Sequence, residues 1–515
     1  MRIESLITLT GWRRRGLAAL LGVCAAGALP PVYALPLLIP AFAGLFLLVR
    51  AAGSARLAFR DGWWWGLGYF TAGLYWICIS LWVEPEKFAW LTPVALFGLP
   101  SILALYTGLV TLLLRALGRK AGDRVALLLF AGLWVGAEYL RAHLFTGFPW
   151  NLIGYVWTVT DVTLQTASVT GIYGLGWMTV MLAAMPALFF SENSTARGPH
   201  VFAALLLAAM VALGVWRLDA HPTQYTTIQA RIVQANVRQS LKWDSNLAMD
   251  GLRKHVRLSH SAGGESAKLI LWPETAVPFF IQPQSQLARD LGGFMPKDAL
   301  LLTGGLRSAG QGSQDAFNSV FALDNEGRIV AQYDKHHLVP FGEYIPLRSL
   351  PPVRWLISII ANEMGDFGRG PGPSTLAIEP YPPFSPLVCY EAIFPGEATD
   401  GTRRAQWLFS LTDDAWFGYS SGLPQDAQMA RMRAVEQGLP LLRAANTGVS
   451  AAFDAYGRTI ARLPLETEGV LDLYLPKAAG DEPIVSRYPM VPLLFIIAGS
   501  MTFLCFRPKK AQDIL

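Results

Sequence analysis

Eight charge-poor stretches, at residues 16–30, 34–49, 62–83, 91–114, 125–144, 165–190, 200–217 and 489–506, divide this 515-residue chain. Most approach the ~20 apolar residues that a helix needs to cross ~30 Å of hydrocarbon. In such a medium each backbone N–H and C=O must find its partner within the protein, which leaves the α-helix as the natural choice for separate apolar segments. The stretch 16–49 is too long for one helix and is interrupted by Pro30-Pro31, so a helical hairpin is predicted there. Seven spans then form an N-terminal membrane domain, 1–220, and one span with a tail occupies 486–515. The interval 221–485 is left for a folded domain outside the bilayer. A hydrophobic content of 52% against 15% charged residues agrees with a membrane protein.

Cations orient the bundle. With a cytoplasmic N-terminus, the inner segments hold Arg2, Arg13, Arg14, Arg15, Arg50, Arg56, Arg60, Arg115, Arg119, Lys120, Arg124, Arg197, Arg507, Lys509 and Lys510, whereas the short outer loops hold Lys87 and Arg141. This asymmetry is the one the positive-inside rule describes, and it requires 16–49 to contribute two spans. Both termini are therefore expected in the cytoplasm and 221–485 outside it. Arg13-Arg14-Arg15 before an apolar stretch resembles the start of a signal peptide, but Pro-Pro and a second apolar stretch stand where a small-residue cleavage site belongs. An uncleaved span is expected. The net charge of +5 is accounted for by the inner-loop cations, so no nucleic-acid partner is expected. Glu138 and Arg141, near the outer end of the fifth span, read as an interfacial anchor pair.

The outer domain is strand-rich with interspersed helices. Residues 225–233 and 267–272 read as strands, 318–323 with 328–333 and 449–453 with 458–463 as hairpins, and 425–437 as a helix. The class is α/β. Of four cysteines, only Cys389 lies outside the apolar stretches, in the run Pro386-Leu387-Val388-Cys389-Tyr390-Glu391. Taken alone, such a cysteine is usually an apolar filler. Glu274 in Trp272-Pro273-Glu274 and Lys335 in Tyr333-Asp334-Lys335 change that balance, because each follows a predicted strand and together they offer a base and a cation to a lone thiol.

Trp272-Pro273-Glu274, the string from Tyr333 to Tyr344 that carries Lys335, and Cys389-Tyr390-Glu391 resemble, in that order, the Glu-Lys-Cys signature of the nitrilase superfamily. With seven spans before and one after, and with Gln239-Ser240-Leu241-Lys242-Trp243 and Asp414-Ala415-Trp416-Phe417-Gly418, nearly the full length is similar to the bacterial apolipoprotein N-acyltransferases, a membrane-bound branch of that superfamily. The resemblance implies an α-β-β-α sandwich on the periplasmic face of the inner membrane. It also implies transfer of a fatty acyl chain from a phospholipid to the free α-amine of a diacylglyceryl-apolipoprotein. A monomer is expected.

A cysteine thiol at a pKa of ~8.5 needs a neighbouring base or cation near neutral pH. Glu274 is the expected base, and Lys335 with the backbone N–H of Tyr390 the expected oxyanion donors. Glu343 and Glu391 are read as acceptors holding Lys335 and the loops. Trp243, Phe341, Trp416 and Phe417 are expected at an acyl entrance, and the apolar run Leu350 to Ile360, with Trp355, as an arm dipping into the membrane. No cofactor is expected, since no phosphate loop is present. His336-His337 suggest a metal, but no third ligand accompanies them in sequence and none is expected. Gly418-Tyr419-Ser420-Ser421-Gly422 matches a nucleophile elbow, yet the last histidine is His337, which precedes it, so a glycine-flanked turn is the better reading.

Two other function classes compete. A membrane-tethered amidase or nitrilase would use the same triad on a small amide, for which eight spans are more than a tether requires. A transporter or sensor should carry ionisable groups near mid-membrane.

Overall fold

The computed structural model describes residues 9–190, 198–242, 247–310, 316–346 and 366–505. Two compact units result, one of Met1–Cys78, Leu91–Arg217 and Arg487–Leu515, the other of Ile79–Trp90 and Leu218–Ser486.

The first unit is helical. Residues of the predicted hairpin form the helices Gly11–Ala26 and Leu38–Arg50, with Pro30-Pro31 in the turn between them. Four helical segments, Pro85–Leu117, Asp123–His143, Ala167–Phe190 and Gly198–Ala220, are long and apolar enough to cross a membrane, and Leu35–Arg50 and Val491–Ser500 are shorter apolar helices. Ala55–Leu74 runs for 20 residues but carries Arg56, Arg60 and Asp61 near its start. Glycines bring it against Gly11–Ala26: a Cβ at Gly22 would lie 1.9 Å from Trp65 O, and one at Gly68 2.0 Å from Ala19 O. Small residues at such crossings let backbones approach where lipid removes the hydrophobic drive to associate. Arg14 and Asp61, both buried, join the same two helices through a 2.7 Å ion pair, and Arg14 also donates to Leu48 O.

Glu138 and Arg141, read from sequence as an interfacial anchor pair, have their partners within the protein. Both are buried, because their partners are backbone groups of the segment that follows their helix: Glu138 accepts from Ile153 N–H at 2.8 Å, and Arg141 donates to the carbonyls of Phe148 and Trp150 at 2.6 Å. The pair pins that segment to the helix.

The second unit holds two β-sheets face to face. One runs β12-β1-β2-β4-β5-β6, where β1 is Tyr225–Gln234, β2 Leu269–Leu271, β4 Leu300–Ser308, β5 Ala316–Asp324, β6 Ile329–Asp334 and β12 Gly469–Pro476, with β3 (Val277–Phe280) alongside β4. The other runs β11-β10-β9-β8-β7, with β7 Phe384–Val388, β8 Trp407–Thr412, β9 Leu441–Ala445, β10 Ala451–Phe453 and β11 Thr459–Arg462. Parallel pairing of β2 with β1 and β4, and of β8 with β7 and β9, covers both faces of these inner strands, which explains why β2 is an apolar run and β8 is buried along its whole length.

Side-chain alternation then divides each strand between two cores. From β2, Leu269 and Leu271 join Val388, Phe409 and Leu442 between the sheets, while Ile270 and, just after the strand, Trp272 face a layer that includes residues of the helices Ala248–Ser259 and Gln286–Gly293. Leu408 and Leu441 pack outward against Ala430 and Ala434 of the helix Gly422–Gln437. The order of layers is helix, sheet, sheet, helix, as the resemblance implies. The predicted hairpins appear as β5 with β6 and β10 with β11.

Candidate functional site

Parallel strands place their C-terminal ends at one edge, and the loops leaving those ends can converge on a site. Glu274 follows β2, Lys335 follows β6 directly, and Cys389 follows β7 directly. Gly304 on β4 makes the first of these possible. A Cβ there would meet Thr275 N at 2.5 Å and Glu274 Cα at 2.6 Å, while its own N–H donates to Pro273 O. Gly304→Ala is therefore expected to displace Glu274 and to destabilise the domain by about 1–3 kcal/mol. Thermal unfolding together with the acylation rate checks this, and an unchanged rate would place Glu274 outside the chemistry.

Glu274 and Lys335 are buried as a pair. Lys335 Nζ donates to Glu274 Oε1 at 3.3 Å and to Glu343 Oε1 at 2.9 Å, and Asn318 Nδ2 donates to the same two oxygens at 2.7 and 3.0 Å. Glu274 Oε2 accepts the N–H of Asp413, the residue after β8, at 2.7 Å. Glu343 Oε2 is held by Val339 N–H at 2.8 Å. Every oxygen of these two carboxylates thus has a donor, as burial of charge requires.

Electrostatics follow from this geometry. Burial pushes the Glu274 carboxyl up, but Lys335, the Asp413 amide, Asn318 and Lys242 outweigh it and hold the group below its usual range. Burial works against the Lys335 charge, yet Glu274, Glu343 and Cys389 keep its pKa well above that of an ordinary lysine. Burial and then Glu274 push the Cys389 thiol well up, with Lys335 opposing them. At neutral pH the resting site is a carboxylate, an ammonium and a thiol.

Cys389 adopts φ = +51°, a left-handed conformation that a non-glycine residue takes only when its surroundings impose it. What imposes it is Glu391. Its Oε2 accepts from Val388 N–H at 2.8 Å, and its Oε1 accepts from His336 N–H at 2.7 Å and from Tyr333 Oη at 2.8 Å. One buried carboxylate therefore ties the turn that carries Cys389 to the backbone just after Lys335. Sequence alone reads Glu343 and Glu391 together as acceptors for Lys335 and the loops; Glu343 bonds Lys335, whereas Glu391 bonds these amides, Tyr333 and the His336 ring. Tyr390, also buried, packs its ring against His337 and Phe394.

The structure corrects a further expectation. Glu397 supplies a third ligand-type group to His336 and His337, their nearest such atoms lying within 4.8 Å of one another. Its Oε2 stands 3.1 Å from His337 Nδ1 and 3.5 Å from His336 Nε2. His336 Nδ1, however, already faces Glu391 at 2.6 Å, so this imidazole lies between two carboxylates and acts as a cationic donor. Burial disfavours its charge, but Glu391 and Glu397 raise its pKa to about 9. Because the folded pKa lies above the unfolded one, this stabilisation is complete below the ordinary histidine value and is lost as pH rises through about 9. The Tm difference between the parent and His336→Gln is expected to shrink over that interval; a constant difference would mean His336 is neutral.

Phe341 is 76% exposed in the loop after Lys335, and Trp416 is 38% exposed in the turn Asp414–Phe417 after β8, with Phe417 partly buried beside it. Trp243, Trp355 and the run from Leu350 to Ile360 lie outside the described residues. Sequence reasoning missed Asn318, Lys242, Asp413 and Glu397. A faint signal exists for Asn318, which is a polar residue at an inward position of an apolar strand.

Comparison with known proteins agrees with this division of the chain. Residues 21–185 match the apolipoprotein N-acyltransferase N-terminal domain, and 229–478 match the carbon-nitrogen hydrolase domain. An apolipoprotein N-acyltransferase of Rhodopseudomonas palustris is 40% identical over 99% of this chain and 98% of its own length. One from Bradyrhizobium diazoefficiens is 38% identical over 96% of this chain and 95% of its own, and one from Brucella melitensis 36% identical over 98% of each. Similarity of this extent, running through the helical unit and the sandwich together, shows that the chain belongs to the apolipoprotein N-acyltransferase family.

Proposed function

We propose that the protein transfers a fatty acyl chain from a membrane phospholipid, through a Cys389 thioester, to the α-amine of the S-diacylglyceryl-cysteine at the N-terminus of an apolipoprotein. The observation that carries the reading is the buried Glu274–Lys335 pair beside a strained cysteine, in a chain that shares full-length similarity with enzymes of that name.

In the first half-reaction Glu274 accepts the Cys389 thiol proton while sulfur attacks the ester carbonyl carbon. Lys335 donates to the oxyanion, with the Tyr390 backbone N–H as second donor. Transfer of the proton to Glu274 removes negative charge beside Lys335 just as the oxyanion restores it, so the cation is balanced throughout. The tetrahedral adduct collapses by breaking its C–O bond, and Glu274 returns the proton to the departing lysophospholipid oxygen. In the second half-reaction the acceptor amine attacks the thioester carbon and Glu274 takes the amine proton; the C–S bond then breaks to leave an amide, and Glu274 passes that proton to the departing Cys389 sulfur, which restores the resting thiol and carboxylate. Ester is exchanged for amide, so no external energy source is needed.

Glu343 holds Lys335, and Glu391 holds the Cys389 turn. Exposed Phe341 and Trp416, with partly buried Phe417, give the acyl chain an apolar approach; Trp243 and Trp355 are assigned to the same role from their place in the sequence. Eight spans, in domains 1–220 and 486–515, place domain 221–485 in the periplasm with both termini cytoplasmic. The enzyme acts as a monomer in the inner membrane.

The test is incubation of full-length protein with a phospholipid of defined acyl composition and a synthetic S-diacylglyceryl-cysteinyl peptide. The expected product is the peptide plus one amide-linked acyl group, with an N-acetylated peptide left unchanged. An unmodified free-amine peptide, with hydrolysis of a small amide instead, would favour a tethered amidase.

A further inference from the structure

Lys242 closes the one-turn helix Gln239–Lys242 and is 5% exposed. Its Nζ donates to Asp413 Oδ2 at 2.6 Å and to the backbone carbonyl of Glu274 at 3.0 Å. Asp413 in turn gives its N–H to Glu274 Oε2 at 2.7 Å, the oxygen opposite the one that Lys335 holds. Asp413 Oδ1 accepts from Asn446 Nδ2 at 2.9 Å, and the Asn446 carboxamide is itself fixed by both backbone groups of Val237. Glu274 belongs to one sheet and Asp413 to the other, so the Lys242–Asp413 pair closes a clamp between the sheets at the carboxylate that moves protons.

We propose that Lys242 is a positioning residue for the base: it fixes Asp413 against Glu274 Oε2, and its charge offsets that of Asp413, so that the Asp413 carboxylate does not oppose Lys335 in keeping Glu274 ionised. The inference rests on the reading of Glu274 as the base. A lysine suits this place because a buried aspartate needs a charged partner, and a partner that also bonds the Glu274 main chain fixes position as well as charge. The charged and titratable groups acting on Glu274 are Lys335 after β6, Glu343 in the following loop, Cys389 after β7, Asp413 after β8, Lys242, and Asp426 on the helix Gly422–Gln437.

Removing these charges one at a time gives opposite signs. Lys242→Met leaves an uncancelled carboxylate beside Glu274, favours its protonated form, and is expected to move the acid limb of the rate of thioester formation upward by about one pH unit. Asp413→Asn keeps the amide N–H, leaves Lys242 unopposed, and is expected to move the limb downward. The double variant should return it to the parent position. Lys242→Arg, which keeps the charge, should leave the limb in place even where the rate falls.

The experiment is the pH profile of acyl-enzyme formation by full-length protein on phospholipid, read by intact mass. Opposite shifts that cancel in the double variant support the proposal. A lower rate with an unmoved limb in Lys242→Met would reduce Lys242 to a structural role and overturn it. Should that variant fail to fold, an unmoved limb in Asp413→Asn overturns it equally. Glu274→Gln is run beside them: thioester formation at the parent rate in that variant would remove the base reading itself, independently of Lys242.

Discussion

Cys389→Ser is expected to lower N-acylation by more than about 10⁴-fold while leaving the fold intact. The substitution conserves shape, and the φ of +51° is imposed by Glu391 and the amides it holds rather than by the thiol, so the turn should persist. The chemistry should not. Burial and Glu274 already push the Cys389 thiol well above its usual range, and a hydroxyl is a far weaker acid than a thiol. Glu274, held below the usual carboxylate range, is too weak a base to ionise it. Unchanged circular dichroism and Tm with lost acylation would meet the expectation. Residual activity above about 1% of the parent would mean that another group carries the acyl chain.

Lys335→Met should cost nearly as much, about 10³-fold or more, by a different route. It removes the oxyanion donor and leaves Glu274 and Glu343 as buried carboxylates sharing Asn318 without the cation between them. Breaking a buried ion pair from one side costs about 3–5 kcal/mol, because the remaining charge keeps its desolvation penalty. The site can relieve that cost by protonating a carboxylate, which removes the base. In the parent, the depressed Glu274 pKa contributes stability that is present above the ordinary carboxylate value and lost as pH falls through the folded one. In Lys335→Met the sign reverses: stability should rise as pH falls, since protonation now relieves repulsion. Chemical denaturation of parent and variant across the acid range measures this, and parallel profiles would mean that Lys335 does not set the charge of Glu274.

Much of this site is legible in the amino-acid sequence. Glu274, Lys335 and Cys389 stand out because strand patterns place each at a strand end, and a strand end is a fixed position in a sheet. The α/β class is legible from apolar runs such as Leu269-Ile270-Leu271, which demand cover on both faces, whereas the α-β-β-α sandwich comes from the family resemblance. What stays hidden depends on distances that no local pattern encodes. Glu397 meets His337 across 60 residues of sequence, and Lys242 meets Asp413 across 171. The place of Glu138 and Arg141 along their helix is readable, but their burial depends on an amide and carbonyls presented by the segment that follows. Sequence does not divide the roles of Glu343 and Glu391, because Glu391 reaches mainly toward backbone N–H groups, which are the same for nearly every residue type and leave no trace in composition.

The measurement that bears most directly on a covalent Cys389 mechanism is intact-protein mass spectrometry after incubation with phospholipid and no acceptor. The parent should gain the mass of one acyl chain, hydroxylamine should remove it, and Cys389→Ser should gain nothing. A folded parent that never acquires the adduct, or a Cys389→Ser protein that does, would contradict the account.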